Sequence, residues 1–125
     1  MTNLIQRLEQ ATEGSRELDA EIWFLDAAKA DGPVKEGAED YGGIERTNWM
    51  KGSIGIWDDQ LPHYTTSVDA ALTLVPDGFW VEGTLSSPSY IEVHSPTTCR
   101  PVGIGLAATP ALAICIAARK ARQYP

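Results

Sequence analysis

Histidine, cysteine and unbroken apolar runs are what this sequence has least of, and each shortage removes a class of function. The two histidines and two cysteines, His63, His94, Cys99 and Cys115, fall at no i, i+3 or i+4 spacing. No pair of them can chelate a metal from one helical turn, and no His-x-x-x-His or Cys-x-x-Cys motif is present. Two cysteines also give no disulfide framework. Lys and Arg number 10 against 17 Asp and Glu, for a net charge of −7 and a pI near 4.7. Phosphate contacts need clustered cations, so an extended nucleic-acid surface is not expected, although a local basic pocket is still permitted. The longest apolar stretch, Val102 to Ala118, is interrupted by Gly103, Gly105, Thr109 and Pro110, too broken for a membrane span of about 20 residues. The opening MTNLIQRLEQ has neither the basic start nor the apolar run of a signal peptide, which leads to the expectation of a cytoplasmic protein.

What is present is an ordinary globular composition: 125 residues, 43% hydrophobic and 22% charged. A chain of this size buries about two-thirds of its unfolded surface in one core, so a single domain over 1–125 is expected. Its clearest unit is Tyr64 to Leu85. Thr66 with Asp69 three positions on forms a variant of the capping box, and Val68, Ala71, Leu72 and Val75 recur at helical spacing. Pro76-Asp77-Gly78 stops that helix in a turn, since proline presets φ and glycine can take φ > 0. Phe79, Val81 and Leu85 then alternate with Trp80, Glu82 and Thr84, a strand in which Gly83 marks a bulge or a close approach.

Before that unit, Thr2 or Asn3 caps a first helix carrying Leu4, Ile5, Leu8 and Ala11, and Gly14 stops it. Ser15 opens a second, with Leu18, Ile22 and Leu25 on one face, which predicts a helical hairpin bent at Gly14. Lys29 to Gly43 holds four glycines and a proline with no apolar period; it reads as a long loop, a form more often functional than merely connecting. Ser53 to Trp57 predicts a short strand. The expectation is therefore a loop-rich insertion at about 29–62.

After Leu85, Ser86 to Ser89 is a turn and Tyr90 to His94 a half-buried strand, with Ile91 and Val93 on one parity and Tyr90, Glu92 and His94 on the other. It is the natural hairpin partner of the preceding strand. Val102, Ile104 and Leu106 alternate with Gly103, Gly105 and Ala107 in a third strand whose small-residue face permits very close packing. Thr109 caps and Pro110 opens a last, strongly apolar helix. The predicted fold class is α+β: a small antiparallel three-stranded sheet with helices on both faces, an α/β/α sandwich-like arrangement.

Three segments carry a family resemblance: Leu8 to Asp19 (LEQATEGSRELD), Tyr64 to Ala71 with Val75-Pro76-Asp77-Gly78, and Ala108 to Cys115 (ATPALAIC). Together they resemble the phage ABA sandwich domain family of small phage and prophage proteins. The resemblance implies helix, sheet and helix layers and a host-cell cytoplasmic setting. It implies no activity, cofactor or catalytic residue, because the matching positions are caps, turns and core.

Candidate chemistry is sparse. His63 and His94 with Cys99, Asp58 and Asp59 are the only metal set the sequence offers, and they read as solvent-facing polar groups, so no metal and no cofactor is expected. Cys99 beside Arg100, with a histidine as base, is the one hydrolase arrangement. The hydroxyls of Thr65-Thr66-Ser67 and Thr109 suit anions but are explained by capping. Arg46, Lys51 and Arg100 accompany Trp49 and Trp57, the pairing of cation and aromatic that grips a base and its phosphate, with His63, Tyr64 and His94 as further ligand-binding candidates; a small satellite core is the plainer role for the tryptophans. From Asp31 to Asp59 there are seven acids and three bases, which reads as a solvated loop. The functional expectation is a phage or prophage accessory protein acting by non-catalytic binding, sequestering a nucleotide-like defence signal at a site between the 29–62 insertion and the Cys99–Arg100 loop. The alternatives are a module that inhibits a host protein and a small hydrolase. The aromatic content also makes a self-association surface, and hence a homo-oligomer, an expectation.

Overall fold

A computed structural model describes residues 4–26, 34–51, 53–84, 86, 88–98 and 100–123. The elements in chain order are α1 (Leu4–Gln10), α2 (Arg16–Asp26), β1 (Lys35–Tyr41), β2 (Ile44–Lys51), β3 (Ile54–Trp57), a 3-10 turn (Asp58–Gln60), α3 (Val68–Leu72), β4 (Trp80–Thr84), β5 (Ser89–His94), β6 (Pro101–Ala107) and α4 (Pro110–Gln123). Two antiparallel sheets result, ordered β1-β2-β3 and β4-β5-β6, so the α+β class is met with one sheet more than the sequence suggests. The chain divides into two compact units, Met1–Ser15 with His63–Pro125, and Arg16–Pro62. The predicted cap at Thr2 or Asn3 lies outside the described residues.

The first unit is built on α4. Thr109 caps it, its Oγ1 accepting from Leu112 N at 3.3 Å, and Ala111 to Ala118 are all buried. Residues of β6 make that burial possible. A Cβ on Gly103 would run into the Ala117 carbonyl, and one on Gly105 into the Ala113 carbonyl, so the helix backbone rests directly on the strand. Two strand residues span about 6.7 Å and four helical residues about 6.0 Å, so the two glycines meet successive helical turns. The small-residue face of β6 thus does what its pattern predicts. Ile91 and Val93 of β5 are buried on the same side, α1 and α3 pack on α4, and Lys120 reaches Glu9 at 3.7 Å while Arg122 Nε donates to the Leu74 carbonyl at 2.7 Å.

Three local expectations are corrected here. The cap of α3 is Ser67, whose hydroxyl accepts from Ala70 N at 3.2 Å; Thr66 lies in the preceding turn, its N–H donating to the His63 carbonyl. The helix buries Ala71 and, just past its end, Leu74, leaving Val68 and Leu72 exposed. Gly14 is needed for a close approach: a Cβ there would strike Thr65, whose buried hydroxyl accepts from Ser15 N at 3.0 Å and donates to the Ser15 carbonyl at 3.1 Å. α1 and α2 fall in different compact units.

The second unit replaces most of the expected loop with a sheet. Gly42 and Gly43 take φ of 62° and 90° and join β1 to β2 in a two-residue turn, pairing Tyr41 with Ile44. Positive φ at both central positions matches the twist of a hairpin, which only glycine, asparagine or aspartate reaches cheaply. Ala20, Phe24, Trp49 and Leu61 form the core, flanked by Trp23, Val34 and Ile56. Arg16 joins α2 to the 3-10 turn: Nε donates to Asp58 Oδ1 at 3.0 Å, NH1 to Asp19 Oδ2 at 2.7 Å, and NH2 to the carbonyls of Asp58 and Leu61 at 2.6 and 2.8 Å. No helix of the described residues is long and apolar enough to cross a membrane.

Candidate functional site

The face of the β4-β5-β6 sheet turned away from α4 is where chemistry-bearing side chains collect. Registers of the two strand pairs put Thr84, Tyr90 and Leu106 in one cross-strand row, Glu82, Glu92 and Ile104 in the next, and Trp80, His94 and Pro101 in the third. A register shift at Val93 and His94 separates the last two rows. Trp80, Tyr90, Ile104 and Leu106 are 45%, 38%, 41% and 55% exposed, so apolar side chains of this face are left in water.

The centre of the face is a linked set. His94 Nε2 lies 3.0 Å from Glu92 Oε1 and 3.4 Å from Glu82 Oε2, and the Tyr90 hydroxyl donates to Glu92 Oε2 at 2.7 Å. The Trp80 ring stacks on the His94 imidazole, centroids 5.5 Å apart and planes 10° from parallel. The Tyr90 hydrogen bond, followed by the one to His94, holds the Glu92 carboxyl below its ordinary pKa. The same bond to Glu92 raises the Tyr90 phenol, because the donor must keep its proton to be useful. Glu82, Glu92 and His94 bring their ligating atoms within 4.8 Å of one another, a grouping able to hold a cation.

Of the residues singled out in the sequence, only His94 belongs to this set. His63 is exposed and serves through its carbonyl, which accepts from Thr66 N and Ser67 N; Tyr64 is buried, its carbonyl accepting from Cys115 Sγ at 3.1 Å. Arg100 is exposed, its carbonyl accepting from Thr98 Oγ1 at 2.9 Å, and Cys99 lies outside the described residues. Arg46, Trp49, Lys51 and Trp57 belong to the second unit. Trp49 is 6% exposed, with Nε1 donating to Asp58 Oδ1 at 2.9 Å, which gives it the satellite-core role. Arg46 lies over the Trp57 ring at 4.1 Å and pairs with Asp59 at 3.0 Å, and Lys51 is half-buried at the end of β2. Asp58 and Asp59, considered as metal ligands, are taken up by Arg16 and Arg46.

Trp80, Glu82, Tyr90 and Glu92 were missed as site residues, although their parity was legible in the sequence. What sequence alone lacks is the register: only once Thr84 is opposite Tyr90 does Glu82 fall beside Glu92 and Trp80 beside His94. Comparison of the chain with protein-family models, curated proteins and solved structures finds no match.

Proposed function

We propose that the protein works by binding and not by catalysis, as a phage or prophage accessory protein that engages a host protein on the open face of the β4-β5-β6 sheet. The observation that carries this reading is the exposure of Trp80, Tyr90, Ile104 and Leu106 on one side of a single small sheet. Grouped apolar side chains left in water generally mark an interaction surface. Aromatic residues are favoured at such centres because they contribute large area at little rotamer cost. Glu82 and Glu92 lie among them, and the chain as a whole carries −7. The complementary partner is an apolar surface fringed with Lys or Arg, with charge steering the encounter. The phage setting is supported by the resemblance of the three segments described above.

The nucleotide reading retains one support, the Arg46 guanidinium stacked on Trp57. Against it, Trp49 is a core residue and Arg46 is already bound to Asp59, so a phosphate would have to displace a carboxylate. Calorimetry with cyclic dinucleotides and ADP-ribose derivatives is expected to be silent. The direct test is affinity capture from bacterial lysate with the intact chain and with an Ile104→Asp, Leu106→Asp variant. One protein retained stoichiometrically by the wild type and lost by the folded variant is the expected result. Equal capture by both would overturn the assignment of the face.

A further inference from the structure

We infer that Glu82, Glu92 and His94 form a zinc-type divalent-cation site on the open face of the sheet. Zinc bound at 2.0–2.1 Å to nitrogen and oxygen in tetrahedral geometry sets its ligands about 3.3 Å apart. His94 Nε2 already stands 3.0 Å from Glu92 Oε1 and 3.4 Å from Glu82 Oε2, and all three donor atoms lie within 4.8 Å of one another. Two of the three edges of the ligand triangle therefore have the required length. The third closes by rotation of Glu82, the most exposed of the three side chains at 62%.

The backbone supplies an independent reason. Glu82 and Glu92 are direct cross-strand partners with side chains on one face, an arrangement in which like charges oppose and weaken the pairing. A divalent ion between them turns that repulsion into ligation. The ligands are also held from outside: Trp80 stacks on the imidazole, and Tyr90 binds Glu92 Oε2 while leaving Oε1 directed at His94. Such supporting contacts orient metal ligands and typically tune affinity by 10- to 100-fold. One imidazole with two carboxylates suits zinc better than calcium or magnesium, which favour all-oxygen shells. Three protein donors leave a fourth position for water or for a side chain from outside. None of this depends on the face being a docking surface.

The test is titration of the chelator-treated full chain with zinc chloride, by calorimetry and by tryptophan fluorescence, since Trp80 covers a ligand. One ion per chain is expected. Glu82→Gln, Glu92→Gln and His94→Gln should each weaken binding at least about tenfold, and Tyr90→Phe about tenfold through the freed Glu92 carboxylate. His63→Gln, which alters the other histidine, should leave affinity unchanged. Glu82→Gln is decisive if other variants misfold, because that side chain is exposed. Absence of binding, or affinity that Glu82→Gln does not change, would overturn the assignment.

Discussion

Arg16 shows how much of this molecule's polar chemistry is spent on holding shape. Its guanidinium bonds the Asp19 and Asp58 carboxylates and the carbonyls of Asp58, Leu61 and Pro62, and Asp19 is fully buried. Removing one partner of a buried ion pair costs about 3–5 kcal/mol, because the other charge is left desolvated. The Arg16 side chain is 23% exposed, so the lower end applies. Arg16→Ala is expected to lower stability to urea by about 3 kcal/mol. Arg16→Lys should recover less than half of that, since an ammonium cannot reproduce the planar fork. A loss below about 1 kcal/mol, the worth of an exposed pair, would contradict this role.

Among the elements, the packing of β6 on α4 is the most exacting. Gly103 and Gly105 admit the helix backbone itself, so even one methyl at either position forces strand and helix apart. Gly105→Ala is expected to destabilise the fold by about 3 kcal/mol, the upper range for overpacking a tight core, read as a shift of the denaturation midpoint. Leu106→Ala on the opposite, exposed face should cost under about 1 kcal/mol. This element was legible in the sequence because alternating small residues along a strand make a face that another backbone can approach closely. The β1-β2 hairpin was not. KEGAEDY offers no apolar alternation, and its place in a sheet is decided by the Gly42-Gly43 turn and by pairing with β2. Two adjacent glycines read as a loop until positive φ at both marks them as a hairpin turn. The α3 cap moved by one residue for a similar reason: Thr66 and Ser67 are chemically interchangeable caps, and the hydrogen bonds of the preceding turn to His63 select Ser67.

At the scale of the molecule, each unit has its own core, and the sites expected from the sequence are divided between them. The core of the first unit was readable, Ile91 and Val93 from the alternation of their strand and Ala111 to Ala118 from the apolar character of the last helix. The exposed face was not, because Trp80 and Tyr90 occupy the parity expected to be polar and its charged residues become neighbours only through register. Ile104 and Leu106 in particular look like core in a strand pattern, yet the glycines between them take the buried side. The most direct test of the central claim places a photo-crosslinking side chain at position 106, and separately at position 44 as a still more exposed control in the second unit, in the intact protein within bacterial cells. The expected result is one discrete crosslinked protein species from position 106 and none from position 44. Crosslinking from position 44 alone, or from neither, would contradict the claim that the open face of β4-β5-β6 is where this protein meets its partner.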